Sequence, residues 1–230
     1  MKKISVSFLL AIFVAISIVG CSSESDDEQN TQDSTGDYWP TAVNNNWVYT
    51  QDGDEALIKI TEIDDIDGGK YYKFNELEIF GDAVDGQASG WIKKNKGDYY
   101  IKIGEVNTTI DGVTAKITGY EFLLFKDYLN VNDTWEGYYT FIQNVSIPDF
   151  PVLTAKINYS GKILEKGISL TVKGKVYNDV IKFRFSQSLK GNDAWPSWDY
   201  STDYWIAKNV GIIKYENDEV TSELKSYVIK

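Results

Sequence analysis

From residue 38 onward the chain alternates apolar and polar residues with a period of two, which is typical of β-strands that bury one face. The clearest alternation runs through residues 153–163, and a second one follows around Phe183 and Phe185. Turn-forming residues interrupt the pattern about every 8 to 12 residues, as expected for antiparallel strands joined by hairpins. The pattern predicts an all-β domain with roughly 10 to 12 strands in one large, curved antiparallel sheet.

The same pattern leaves three local questions and one question of architecture. Asn178-Asp179 is predicted to form a turn before the strand that contains Phe183, and residues around Pro196 are predicted to form a loop. The segment from Glu121 to Leu129 fits neither a helical nor a strand period clearly. A half-barrel and a barrel-like meander both satisfy the alternation, and a closed barrel or a sandwich also remains open.

The first 20 residues have a different pattern. Lys2 and Lys3 are followed by an apolar and small-residue run from Ile4 to Val19. This run is shorter than the roughly 18 apolar residues that indicate a membrane span, so it predicts a signal peptide. Cys21 follows at once and is the only cysteine of the chain. An uncleaved N-terminal helix with a buried cysteine is the alternative.

The sequence Ile18-Val19-Gly20-Cys21 resembles the lipobox of bacterial lipoproteins. The resemblance implies cleavage before Cys21, a diacylglyceryl group on its sulfur and an acyl chain such as palmitate on its new amine. Two or more such chains give stable membrane anchoring. We therefore expect a lipid anchor at Cys21 in the bacterial outer membrane, on its periplasmic or its cell-surface face.

Residues 22–37 contain no large apolar side chain and six acidic ones. Such a segment buries too little surface to offset the entropy of ordering it, so a disordered tether is expected. The predicted organisation is therefore a signal peptide at 1–20, a lipid-anchored acidic tether at 21–37 and a single β domain at 38–230.

Composition excludes several classes of function. The chain has no histidine, so histidine-based acid–base, nucleophilic and metal chemistry are excluded. All 34 acidic residues but only 21 of the 23 basic residues lie after residue 20, which gives the mature chain a formal charge of about −13. This charge disfavours nucleic acid as a partner. Chemistry that uses carboxylates alone, such as a glycosidase acid pair, remains open.

Two further stretches carry a second resemblance. Residues 38–49, with Tyr38-Trp39-Pro40 and Asn46-Trp47-Val48-Tyr49, resemble the opening motif of uncharacterised lipoproteins of the Bacteroidetes type. Residues 204–214 are similar to their closing motif, and residues 174–180 to their middle segment. The resemblance implies a half-barrel distantly similar to lipoprotein carriers, and it implies no catalytic residues. Asn45 and Asn209 stand where these proteins have glycine, so both are expected to allow a turn, because asparagine tolerates left-handed backbone.

The most unusual local chemistry lies between residues 192 and 205, where three of the seven tryptophans fall within eleven residues. Aromatic rings beside carboxylates suit a sugar, whose C–H face stacks on a ring while its hydroxyl groups form hydrogen bonds. The candidate ligand-binding residues are Asp193, Trp195, Trp198, Asp199 and Tyr200. The alternative is that these rings close one end of the sheet as packing. Trp205, in a strand-like run, is expected to be structural.

Acidic residues also occur close together at Asp64, Asp65 and Asp67, but the following residues do not continue a calcium-loop pattern, so a hairpin turn is predicted instead. No metal, cofactor or catalytic residue is predicted. The expected function is a lipid-anchored, non-catalytic binding or structural module of the outer membrane, with a lipid-like, protein or glycan ligand. A glycan-binding or carboxylate-based glycan-processing lipoprotein is the alternative.

Overall fold

A computed structural model describes residues 33–75, 88–110, 112–191 and 196–230. These residues form the β structure that the alternation predicts. No helix occurs in these four segments, and so none of their residues forms a helix that could cross a membrane. The fourteen strands are β1 (Asn46–Gln51), β2 (Asp54–Ile66), β3 (Gly69–Phe74), β4 (Gly90–Asn95), β5 (Asp98–Ile103), β6 (Val106–Ile110), β7 (Val113–Ile117), β8 (Tyr120–Lys126), β9 (Thr134–Val145), β10 (Leu153–Val172), β11 (Lys175–Leu189), β12 (Trp198–Ala207), β13 (Gly211–Glu216) and β14 (Thr221–Val228).

All fourteen strands belong to one antiparallel sheet in the order β6-β7-β9-β10-β11-β12-β13-β14-β1-β2-β3-β4-β5-β8. The predicted large antiparallel sheet is confirmed, with more strands than the 10 to 12 expected. The end strands β6 and β8 do not pair with each other, so the sheet is open rather than closed into a barrel.

The sheet curls until one end lies on the inner face of the other. β2 pairs with β1 up to Lys59 and then, from Ile60 onward, with β3, with an irregularity between Ile60 and Glu62. This change of partner carries β3, β4, β5 and β8 across the inner face of the longer strands. Phe125 of β8 stacks on Phe183 of β11 with ring centroids 4.7 Å apart. Aromatic side chains therefore pack between the two halves, where each buries a large apolar area.

Two parts of the pattern fold differently from the prediction. Asn178 and Asp179 lie inside β11 and form a bulge, so the turn predicted there is wrong. The hairpin turn between β10 and β11 is instead Lys173-Gly174, where both residues have positive φ. The ambiguous segment from Glu121 to Leu129 contains strand β8, whose apolar residues are buried on both faces and so do not alternate with polar ones.

Four residues of the expected tether, Ser34 to Asp37, lie against the domain rather than apart from it. Tyr38 and Trp39 follow them and are almost completely buried in the core. The Asn209 N–H donates to the Asp37 carbonyl, and the Lys208 ammonium donates to the Thr35 carbonyl at 3.1 Å. Contacts to the domain therefore begin before residue 38, where the β domain was predicted to start.

The two asparagines that were expected to allow a turn, Asn45 and Asn209, behave differently. Asn209 has a φ of 62°, as expected for an asparagine in a turn. Asn45 does not have positive φ; the left-handed residue is its neighbour Asn44, with φ of 75°. The Asn45 side chain is buried instead, where it donates to the Pro40 carbonyl and accepts from the Lys230 N–H.

Candidate functional site at the rim of the sheet

The candidate residues of the tryptophan-rich segment lie at the beginning of β12. Trp198 is the first residue of this strand, so it belongs to the sheet and not to the predicted loop. Alternation along a strand places Trp198 and Tyr200 on the side of buried Thr202 and Tyr204, the inner face, and Asp199 on the outer face. Asp193 and Trp195 lie outside the described residues.

Trp198 and Tyr200 continue the inner face beyond the packed core, at the rim of the sheet. Trp198 is 38% exposed and Tyr200 is 39% exposed, whereas Tyr204 in the same row is buried. Beside them lies a narrow slot between β8 and the two strands β11 and β12. It is lined by Phe122, Leu124, Phe185, Gln187, Tyr200, Thr202 and Tyr204.

The slot is too small for a sugar ring or a lipid chain. Its volume of about 20 Å³ is close to the space that one water molecule occupies. A larger ligand would therefore have to lie on the exposed rings at the mouth of the slot.

Polar groups stand next to these rings. The Asn217 amide group donates to the Tyr200 hydroxyl group, which brings the β13–β14 turn to the rim. Ser197, just before β12, accepts the Gly191 N–H at 2.8 Å. Gln187 and Thr202 add an amide and a hydroxyl group to the slot itself. The rim thus combines two aromatic faces with neutral donors and acceptors.

The outer face of β12 carries a separate, charged arrangement. The Arg184 guanidinium group donates to both carboxylate oxygens of Asp203, at 2.6 and 3.1 Å. Lys182 reaches the same carboxylate at 3.1 Å. Burial raises the pKa of Asp203, but the hydrogen bonds from Arg184 and Lys182 outweigh it and hold the pKa below its usual value. The two cations and the carboxylate therefore satisfy one another.

Trp205 belongs to this outer face, between the Lys182 and Lys214 ammonium groups, which lie 4.5 and 4.8 Å from its ring centroid. It is packed against the core but only partly buried. Alternation explains this placement, because Tyr204 and Ile206 on either side of it point inward. Trp205 therefore packs on the sheet through cation–π contacts, and its ring is not fully buried.

Asp127, just after β8, is fully buried and binds the N-terminal segment. Its carboxylate accepts the Ser34 hydroxyl at 2.5 Å, the Thr35 N–H at 2.8 Å and the Tyr99 hydroxyl at 3.2 Å. Burial raises the pKa of Tyr99 well above its ordinary value, and the nearby Asp127 charge raises it further. The sequence gives no signal for this site, because a single aspartate after a strand is common.

Asp98 is the second fully buried acid among the described residues. It accepts the Tyr100 hydroxyl at 3.3 Å and lies 3.7 Å from the Lys126 ammonium group. The two buried acids thus have different tyrosine partners, Tyr100 for Asp98 and Tyr99 for Asp127.

Within the described segments, no group of three or more acidic or cysteine side chains is close enough to hold a metal ion. Asp64 and Asp65 lie at the end of β2, and Asp67-Gly68 forms the predicted hairpin turn, with φ of 52° and 76°. This geometry agrees with a two-residue β-turn that joins β2 to β3.

The pattern of the tryptophan-rich segment does not reveal the residues that other strands contribute to the slot. Phe122 and Leu124 come from β8, and Gln187 comes from β11.

Comparison of the chain with protein-family models, with curated proteins and with solved structures finds no match. The resemblance to bacterial lipoproteins therefore stays a prediction.

Proposed function

We propose that this protein is a lipid-anchored, non-catalytic binding module of the bacterial outer membrane that binds glycan on the rim formed by Trp198 and Tyr200. The observation that carries the proposal is the pairing of two exposed aromatic rings with neutral polar groups at the mouth of a slot. Aromatic faces supply stacking area and a rigid surface at low entropic cost.

The packed interior argues against a lipid carried inside the sheet. A carrier needs an apolar cavity of several hundred Å³ for a ligand of ordinary size. Here the slot has a volume of only about 20 Å³, and stacked rings such as Phe122 and Phe185, 5.5 Å apart, occupy the inner face. A ligand on the surface of the rim agrees better with this interior.

The position of the rim also favours a ligand outside the membrane. β12 runs from Trp198 at the rim to Ala207, and the next residue, Lys208, contacts Thr35 of the N-terminal segment. Ten strand residues span about 33 Å at a rise of roughly 3.3 Å per residue. The candidate site is thus distant from the point at which the tether would enter the domain.

Fluorescence titration of the mature chain with polysaccharides tests the proposal. A bound sugar should change the tryptophan emission, and Trp198→Ala and Tyr200→Ala should each weaken binding by about ten-fold, since stacking on one ring contributes roughly 1–1.5 kcal/mol. Tyr138→Ala is the matched control, because Tyr138 is 61% exposed on the outer face of β9. Equal loss in all three variants, or no response to any polysaccharide, would reject the glycan site.

The lipid anchor needs its own experiment. Cys21→Ser should abolish lipid labelling and leave the precursor uncleaved, because the thioether and the cleavage both require the cysteine sulfur. Unchanged processing of this variant would contradict the anchoring proposal and leave the glycan proposal standing.

A second candidate function is a structural role in the envelope, and the filled interior favours it. In that case the rim rings serve packing alone, and the Trp198→Ala and Tyr200→Ala variants should lower the melting temperature with no change in ligand binding.

A further inference from the structure

The two end strands of the open sheet differ in how their free edges are covered. β8 packs against β9, and the Trp135 indole N–H donates to the Leu123 carbonyl of β8 at 3.2 Å. β6 pairs with β7, and no second strand of the described segments pairs with it. One side of β6 therefore presents backbone N–H and C=O groups that another strand can bind.

β6 lacks the features that usually protect an edge strand. Its sequence, Val106-Asn107-Thr108-Thr109-Ile110, contains no charged residue and no proline. Its five pairs with β7 follow one another without a bulge. Natural edges are commonly protected by lysine, proline, a bulge or a covering segment. β6 is thus the regular, uncharged edge of this sheet.

The distribution of charge also favours pairing at β6. The mature chain carries a formal charge of about −13, so two copies repel each other over most of their surface. Next to β6 the Glu105 carboxylate is paired with the Lys116 ammonium group at 2.7 Å, and Asn107 donates to the same carboxylate at 3.0 Å. The charge of Glu105, the residue that precedes β6, is therefore neutralised within one chain.

The residue order of β6 is self-complementary. If two copies pair antiparallel about a two-fold axis through Thr108, Val106 lies opposite Ile110 and Asn107 lies opposite Thr109. Such a pairing is isologous, as in most homodimers, and it places Val106 and Thr108 of one copy opposite other β-branched residues.

We infer that β6 is a self-association edge, which pairs antiparallel with β6 of a second copy of this chain. Five residues per strand bury little area, so the association is weak in dilute solution. Screening of the acidic surfaces by salt strengthens it. The inference does not depend on the proposed glycan site.

Disulfide trapping in the full-length protein tests the register. In Thr108→Cys the two introduced thiols lie directly opposite each other, where Cβ atoms of an antiparallel pair are about 4.5–5.5 Å apart. Mild oxidation with copper phenanthroline should give a disulfide-linked dimer on a non-reducing gel. Asn107→Cys should give several-fold less, because its partner position is Thr109.

Two controls separate the possible failures. Thr171→Cys places a thiol at an exposed strand position on β10 and should stay monomeric. The parent chain should also stay monomeric, and a dimer there would mean that Cys21 is free, which contradicts the lipid anchor and not the edge pairing. Dimer from Thr108→Cys at or below the level of Asn107→Cys or Thr171→Cys would overturn the inference. A cross-linked band to a different protein would overturn it as well.

Discussion

Replacement of Asp127 by alanine should destabilise the domain strongly, because this carboxylate joins the N-terminal segment to the core. Three donors lie within 2.5–3.2 Å of it: the Ser34 hydroxyl, the Thr35 N–H and the Tyr99 hydroxyl. Hydrogen bonds to a charged group contribute roughly 1.5–3 kcal/mol each. Their sum is an upper limit, since Asp127→Ala also removes the cost of burying a charge.

A second acceptor for the Tyr99 hydroxyl lowers the expected loss of stability further. The Tyr99 hydroxyl keeps the Gly36 carbonyl as an acceptor, at 3.2 Å. We therefore expect Asp127→Ala to lower the free energy of unfolding by about 2–4 kcal/mol, a large part of the stability of an ordinary domain. Ser34→Ala removes one of these bonds and should cost about 1.5 kcal/mol, the lower end of the range for a hydrogen bond to a charged group, because Ser34 itself is exposed.

Urea unfolding of the mature chain, followed by tryptophan fluorescence, measures these differences. Asp133→Ala is the matched control, because Asp133 is exposed and its carboxylate accepts only the Asn130 N–H in the turn before β9. Limited proteolysis with chymotrypsin gives an independent test: Asp127→Ala should accelerate cleavage after Tyr38, which the wild type buries. If Asp127→Ala destabilises the domain no more than Asp133→Ala does, the site does not bind the segment as argued.

Three further predictions concern the rim, the outer face and the core. Trp198→Ala should change the free energy of unfolding by at most about 0.5 kcal/mol, whereas Trp47→Ala, in the core, should cost about 3–5 kcal/mol; chemical unfolding of both variants checks this. The pKa of Asp203 is lowered in the folded state, so Asp203 stabilises the fold at pH values above its ordinary pKa of about 4. This stabilisation is lost as the pH falls through the lower pKa of the folded state. The wild type should therefore lose more stability on acidification than Arg184→Met. Burial raises the pKa of Tyr120 to about 12, so the stability that is present below a pH of about 10 is lost as the pH rises towards 12. Tyrosinate absorbance should then show a cooperative rise that coincides with unfolding, in addition to the gradual ionisation of exposed tyrosines.

The faces of the strands were predictable because alternation is a local property of the chain. Residues 153–163 and Phe183 and Phe185 point as the pattern indicates. The turn at Asn178-Asp179 was not predictable in the same way. Asp179 and Gly174 both adopt positive φ, one in a bulge and one in a hairpin turn. Local sequence allows left-handed backbone at both positions, and only the pairing of β10 with β11 decides which one reverses the chain.

The candidate site was predictable only where one segment supplies it. Tryptophan density marks Trp198 and Tyr200, but the lining from β8 depends on the curl of the sheet, which follows from long-range packing such as Phe122 on Phe185. The same reason hides Asp127, whose partners Ser34 and Thr35 lie more than 90 residues away in the sequence.

The N-terminal segment lies beside the end of β12 that is opposite the rim. The chain enters the domain at Ser34, beside Asp127 and Lys208, and Tyr38 and Trp39 then become part of the core. In the anchored protein that we propose, a force on the tether therefore acts on the core itself and not on a loop. Because β12 leads from this end to the rim at Trp198, the rim is about one strand length from the N-terminal segment. In the anchored protein that we propose, a glycan outside the membrane reaches the rim directly, whereas a lipid leaving the bilayer meets the end with the N-terminal segment first, where the described residues are closely packed.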